Sequence, residues 1–248
     1  MFVNDNFMIS IVIATYNSEL TLGRAMQSVL NLTYQDWECI VVDGASKDGT
    51  LDIVKEFVDR DARFRYISEP DHGIYDAFNK GWKMATGEWV MYLGSDDEYT
   101  SDGIQTLVEH SDDADVVYGD VIFRFPKGKE KYGFGQRPDF WGTKNWCIHQ
   151  SVMMKRNVIE HFAGFDESYK LFADWDLLRK VGQAGYKYHY ENCPIAYFSV
   201  AGASSDFSGV FEAYRIYRKT NGTIKSCLIC VKRLIRKLLV ILKHKLCC

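Results

Sequence analysis

Past Glu212 the chain contains no acidic residue, although ten lysines and arginines follow. The formal net charge of -3 therefore hides two opposed parts: 20 basic and 33 acidic residues up to position 212, or -13, and +10 after it. So acidic a body argues against general nucleic-acid binding, and so basic a tail calls for an anionic surface as its partner. Lys and Arg interrupt every tail window long enough to span a bilayer. The amino terminus, Met-Phe-Val-Asn-Asp-Asn-Phe, lacks the basic stretch and apolar core of a signal peptide, so the body is expected to stay in the cytoplasm. The seven cysteines show no disulfide-like spacing: Cys39, Cys147 and Cys193 lie far apart and read as reduced, small hydrophobes. Cys227 and Cys230 form a Cys-Leu-Ile-Cys, but no second pair or nearby His accompanies it, which argues against a zinc or redox site. No Gly-x-Gly-x-x-Gly follows the first strand and no Gly-Lys-Ser/Thr occurs, so dinucleotide and P-loop readings lose their main support. Internal repeats and low-complexity linkers are absent as well.

What is present is a core: 248 residues at 47% hydrophobic exclude disorder and suffice for one large α/β domain, expected over 1–222, with a basic tail over 223–248. Ile9 to Ala14 is a β-rich run ending in Thr15-Tyr16-Asn17, after which Leu20, Leu22, Ala25, Met26, Val29 and Leu30 follow helical spacing. The rhythm repeats, with a strand over Glu38 to Val42 ending at Asp43 and a helix carrying Leu51, Val54, Phe57 and Val58. A third strand over Phe64 to Ile67, a helix over Ile74 to Ala85, a fourth strand over Trp89 to Leu93 and a helix over Ile104 to Glu109 complete it. Such alternation predicts a mainly parallel sheet covered by helices on both faces. Beyond Asp115 the rhythm changes: Val116 to Phe125 is extended, Lys127 to Trp146 reads as hairpins and a loop, a helix begins near Asp174, and two strands cover Tyr186 to Tyr190 and Ile195 to Ser199.

Three strand ends deliver polar groups to one edge of this sheet: Thr15-Tyr16-Asn17, Asp43-Gly-Ala-Ser46 and Ser95-Asp96-Asp97. Ligands of open α/β sheets collect at that edge. An Asp there can accept from the imide N–H of uracil or the amino edge of guanine while the first loop covers base and ribose. Adjacent carboxylates after a buried strand are hard oxygen donors that suit Mg²⁺ or Mn²⁺ on a diphosphate.

In order along the chain, five blocks resemble the inverting nucleotide-sugar glycosyltransferases of family 2, which have the GT-A fold. They are Ile9-Ser-Ile-Val-Ile-Ala-Thr-Tyr-Asn17, Val41-Val-Asp-Gly-Ala-Ser-Lys-Asp-Gly-Thr50, Glu69-Pro-Asp-His-Gly-Ile-Tyr-Asp-Ala-Phe-Asn-Lys-Gly81, Ala85-Thr-Gly-Glu-Trp-Val-Met-Tyr-Leu-Gly-Ser-Asp-Asp97 and Asp174-Trp-Asp-Leu177. The resemblance spans roughly residues 8 to 205. The third block and His149-Gln150 look like a branch that builds bacterial surface polysaccharides.

The resemblance implies that Thr15, Tyr16, Asn17 and Asp43 hold base and ribose, and that the segment with Asp71, Gly73, Asn79 and Gly81 lines the sugar-diphosphate pocket. The family's Asp-x-Asp begins where this chain has Gly94, so Ser95 and Asp96 are implied as donor contacts, Asp96 as the principal metal ligand or ribose contact and Asp97 as its helper. A divalent Mn²⁺ or Mg²⁺ would neutralise the departing nucleoside diphosphate. Ala173 stands where the family commonly has Glu, and Asp174 is kept as the implied catalytic base, with Asp176 supporting it or capping its helix. His149 reads either as a diphosphate or metal contact or as a satisfied core group. Trp141, Trp146 and Trp175 read as sugar-stacking or core residues, and Gly202-Ala203-Ser204-Ser205 resembles a loop closing over the donor phosphates.

In the tail, Leu228, Val231, Ile235, Leu238, Leu239, Leu242 and Leu246 share one arc of a helical wheel, and Lys232, Arg233, Arg236, Lys237, Lys243 and His244 the other. This predicts an amphipathic helix lying at the inner face of the cell membrane, or packing on the enzyme's own body or a second copy. The expected function is transfer of a sugar from a UDP- or GDP-sugar to a hydroxyl of a glycan acceptor, lipid-linked if the tail binds membrane. The rival readings are a degenerate nucleotide-sugar-binding scaffold, suggested by Gly94 and Ala173, and a nucleotidyltransferase, which would want a basic Gly-rich loop where this chain has Ala14-Thr-Tyr-Asn17.

Overall fold

The computed structural model describes residues 7–133, 135, 138, 147–200, 208–224 and 226–231. Trp141, Trp146, Gly202–Ser205 and the tail beyond Val231 lie outside the described residues. The element order is β1 (Ile9–Thr15), α1 (Leu22–Leu30), β2 (Trp37–Asp43), α2 (Thr50–Arg60), β3 (Phe64–Ser68), α3 (Ile74–Met84), β4 (Trp89–Gly94), β5 (Glu98–Tyr99), α4 (Gly103–Glu109), β6 (Val116–Arg124), β7 (Glu130–Gly133), β8 (Val152–Lys155), α5 (Arg156–His161), α6 (Ala173–Gln183), β9 (Tyr188–Ser199) and α7 (Ser208–Asn221).

Strands β1, β2 and β4 are buried along their whole length, which is why they read as unbroken apolar runs. Their side chains alternate between two cores. Ile9, Ile11 and Ile13 face α1, α2 and α4, whereas Val12 and Ala14 face Tyr75, Phe78 and Trp82 of α3 together with α6 and α7. In α1 the buried residues Leu22, Ala25, Met26 and Val29 form one stripe.

The sheet runs β3-β2-β1-β4-β8-β6-β9-β5, with β7 on β6. Its first four strands are parallel, as the βα rhythm predicts; β8 then pairs antiparallel with both β4 and β6, so the second half is mixed. Strands β8 and α5 are too short to carry a period and were not legible in the sequence. The two strands expected around Tyr186–Tyr190 and Ile195–Ser199 are one, β9, whose register against β6 shifts around Asp120, the partner of Pro194. Proline donates no N–H to a ladder, and the irregularity absorbs it.

Parallel register decides where the site lies. Thr15 pairs with Asp43, Ala14 with Gly94, and Asp43 with Ser68, so β1, β2, β3 and β4 end level at one edge.

Candidate active site

Asp43 is fully buried at the end of β2. Its carboxylate accepts from the Ser46 amide (3.1 Å), from the Ser46 hydroxyl and from Ser68 Oγ (2.6 Å). Ser46 Oγ in turn accepts from the Asn17 amide at 2.8 Å, and Asn17 Oδ1 accepts from the Lys47 amide at 2.8 Å. Asn17 takes φ 48°, a left-handed turn that Asn tolerates, so the first loop folds down onto the second. Tyr16 stays 59% exposed at the rim. Thr15 is buried, and its hydroxyl has no partner among the described residues.

Asp71 leans over Gly44: a Cβ added there would stand 2.5 Å from Asp71 Oδ2 and 3.2 Å from the Tyr16 ring. A bare backbone at 44 thus lets Tyr16, Asp43 and Asp71 share one recess. Asp71 Oδ1 also accepts from the Gly73 amide at 2.9 Å. Gly73 precedes α3 with φ 124° and nothing within 4 Å of where a Cβ would stand, leaving the helix's amino end open to the recess.

Asn79 and Gly81, implied as lining the same pocket, make other contacts here. Asn79 is buried and fully engaged: its amide donates to Phe165 O (2.9 Å) and Glu167 Oε1 (2.8 Å), and its oxygen accepts from the Phe165 amide (2.9 Å) and Trp82 Nε1 (3.1 Å). Gly81 packs against Val12 on the sheet, where a Cβ would collide. A helix distributes successive residues around its axis, so a contiguous motif need not be a contiguous surface.

The fourth strand ends in a turn closed by the Asp97 amide donating to Gly94 O at 3.2 Å. Both carboxylates fold back over Gly94, and a Cβ there would stand 2.7 Å from Asp97 Oδ2 and 3.1 Å from Asp96 Oδ1. Glycine at the first position of the motif is therefore what lets the pair sit so close to the strand. Asp97 is 3% exposed, and it accepts from the Ser199 amide (2.7 Å) and Gln150 Nε2 (2.8 Å). Burial pushes its carboxyl up to about 7, against the lowering by the Ser199 amide, and the Asp96 charge adds to the rise. Burial likewise raises Asp96, opposed by Ser199 and the Arg24 charge. Ser95 Oγ lies 2.9 Å from Ser18 Oγ, tying this turn to the first loop.

No three His, Cys, Asp or Glu groups gather among the described residues, so His149 is not grouped with Asp96 and Asp97. The donor set that remains, two adjacent carboxylates that resist ionisation by themselves, fits a hard divalent cation.

His149 instead stacks on Tyr92 (ring centroids 4.9 Å apart), with Phe78 and Phe165 at 5.5 and 5.4 Å. Burial lowers its pKa while the nearby Asp174 charge opposes the fall, so the ring is neutral at pH 7. Tyr92, His149, Phe165 and Asp174 border a cavity of about 10 Å³, room for about one water. Asp174, in the first turn of α6, accepts from Tyr75 Oη at 2.9 Å. Asp176 is buried and paired with Lys180 (2.6 Å) and Lys219 (3.1 Å), a support for the helix. Ala173 and Trp175 are buried in the core, which places Trp175 away from sugar stacking. Sequence reasoning gave no individual role to Gln150, Ser199 or Tyr75, although Tyr75 lies in the third block, within the segment implied to line the donor pocket, and Gln150 stands beside His149.

The sequence model of glycosyl transferase family 2 matches residues 10–168. The chain belongs to that family. A family 2 relative, the PGL/p-HBAD biosynthesis glycosyltransferase of Mycobacterium bovis, is 33% identical over 174 residues, covering 68% of this chain and 67% of that protein. S. aureus TarS 1-349 in complex with UDP-GlcNAc superposes with TM-score 0.69 at 18% identity, over 86% of this chain and 65% of that 1-349 chain. The mannosyltransferase PcManGT from Pyrobaculum calidifontis, in complex with GDP-Man and Mn²⁺, gives TM-score 0.61 at 20% identity over 85% and 60%. The chain thus spans somewhat less than two thirds of either solved neighbour. The fold is the GT-A arrangement, and this family 2 chain is a glycosyltransferase.

Proposed function

We propose that this transferase moves a sugar from a UDP- or GDP-sugar to a hydroxyl of a lipid-linked glycan with inversion at the anomeric carbon. One observation carries the reading: in the adjacent pair His149-Gln150, Gln150 holds Asp97 and His149 faces Asp174, so a carboxylate pair and a lone carboxylate flank a single dipeptide. Inversion needs that separation of leaving group and base. Asp174 takes the acceptor proton as the acceptor oxygen bonds to the anomeric carbon and the carbon–oxygen bond to the diphosphate breaks. Tyr75, by donating to one carboxylate oxygen, leaves the other to face the acceptor. Asp43, held by Ser46 and Ser68, presents an acceptor to the base, and Asp71 and Gly73 border the donor. Asp96, with Asp97 beside it, would hold Mn²⁺ or Mg²⁺, which supplies charge neutralisation for the leaving diphosphate. The Mn²⁺ and GDP-Man of PcManGT and the UDP-GlcNAc of TarS support this class of donor.

The test is thermal shift with a panel of UDP- and GDP-sugars, in Mn²⁺ and in chelator. A metal-dependent rise in melting temperature for one donor identifies base and sugar; the absence of any shift in folded protein would move the chain to a non-catalytic scaffold.

A further inference from the structure

Helix α7 ends at Asn221, and Gly222, with φ 71°, turns the chain into a second helical stretch reaching Val231. That stretch is used on two faces. Ser226 and Cys230 are buried and Ile229 packs on the core, whereas Ile224, Leu228 and Val231 are 80%, 60% and 52% exposed, and Cys227 is exposed beside them. Positions 224, 227, 228 and 231 follow the i, i+3, i+4, i+7 spacing of a single helical stripe, here turned outward. Packing on the enzyme's own body is already provided by the opposite face. Beyond Val231 the sequence carries six further Lys and Arg, and no acid follows Glu212. A second copy would offer an acidic body, but its described large exposed apolar residues, such as Tyr16, Leu20 and Tyr132, are scattered along the chain. An anionic bilayer offers an apolar layer and negative charge at one depth. No helix among the described residues is long and apolar enough to cross a membrane.

The same two helices grip the catalytic side. Glu212 of α7 accepts from the backbone amides of Lys170 (2.7 Å), Leu171 (2.8 Å) and Phe172 (3.2 Å), the three residues that lead into α6, and Lys219 bridges to Asp176. Asp174 lies between those anchor points. We infer that the face formed by Ile224, Leu228 and Val231 docks the enzyme on anionic phospholipid and thereby holds Asp174 toward a membrane-anchored acceptor. The second half of that statement rests on the proposed function; the docking does not.

The full chain is sedimented with phosphatidylcholine vesicles, with and without phosphatidylglycerol, beside Leu228→Glu and Val231→Glu, which alter exposed positions and leave the buried face intact. Binding to anionic vesicles only, weakened about tenfold by either substitution and by high salt, is the expected result. No sedimentation, equal binding by the variants, or a light-scattering dimer that the variants abolish overturns the docking. Turnover on a detached, water-soluble acceptor separates the two readings. Unchanged turnover by Leu228→Glu with lost vesicle binding supports docking, and vesicle binding by a protein that turns over no donor keeps the docking while removing the catalytic reading.

Discussion

Tyr75 Oη donates to Asp174 Oδ1 at 2.9 Å, across 99 residues of sequence. The phenol's own pKa is raised by burial and then by the Asp174 charge, so it remains a donor throughout the working pH range. A neutral donor fixes the carboxylate oxygen it bonds and so orients the other. Tyr75→Phe is expected to lower kcat by about tenfold, with donor affinity unchanged. Asp174→Asn should remove turnover, by about 10²–10⁴-fold, and also spare donor binding. Unchanged turnover in Asp174→Asn sinks its assignment as base, whereas an unchanged kcat in Tyr75→Phe sinks only the positioning role.

Asp97 makes metal-free stability depend on pH. Its folded pKa, about 7, lies above the unfolded carboxylate value of about 3.9, so its contribution is fully present below the unfolded value and lost as pH rises through about 7. In chelator, wild type should lose about 1.4 kcal/mol relative to Asp97→Asn between about pH 6 and about pH 8. Added Mn²⁺ should flatten that difference. Urea denaturation of both proteins across the range reads it, and a difference that does not vary with pH would show that Asp97 is ionised throughout.

Gly94→Ala places a methyl 2.7 Å from Asp97 Oδ2. The carboxylate must swing off Gln150 or the Ser199 amide to make room. Weaker Mn²⁺-dependent donor binding is expected, with little change in binding measured in chelator; equal affinity in both conditions would mean the turn accommodates the methyl freely.

Asn79→Ala separates scaffold from pocket. Four hydrogen bonds are lost and the Phe165 amide and Trp82 indole are left without their acceptor, at a cost of about 2–4 kcal/mol. Donor affinity at a temperature where the variant is folded should equal wild type. Loss of affinity without loss of stability would return Asn79 to the donor pocket.

The parallel half of the fold was legible because β1, β2 and β4 are buried on both faces and their helices carry a single stripe, so periodicity and burial agree. The mixed half was not, since β8 has four residues and β9 runs through Pro194 with shifted register. Asp43, Asp96 and Asp97 were singled out at strand ends, because a parallel sheet forces strand ends together, whereas Asp71 came only from the resemblance. Gln150, Ser199 and Tyr75 were given no individual role because each reaches its carboxylate across 53 to 102 residues of chain, a contact no local pattern encodes. Asn79 and Gly81 were placed beside Asp71 because a run of matching residues was read as one surface, although a helix distributes it around its axis.

Glu212 has one further implication. The family match ends at residue 168, before Asp174, and the carboxylate that fixes the approach to Asp174 comes from α7, beyond it. A chain cut after β9 would keep every donor contact named above and could still recognise a nucleotide sugar, yet its three amides at 170–172 would have lost their common acceptor. With the proposed roles, recognition and turnover are expected to divide along the polypeptide, the smallest active fragment being longer than the smallest binding one.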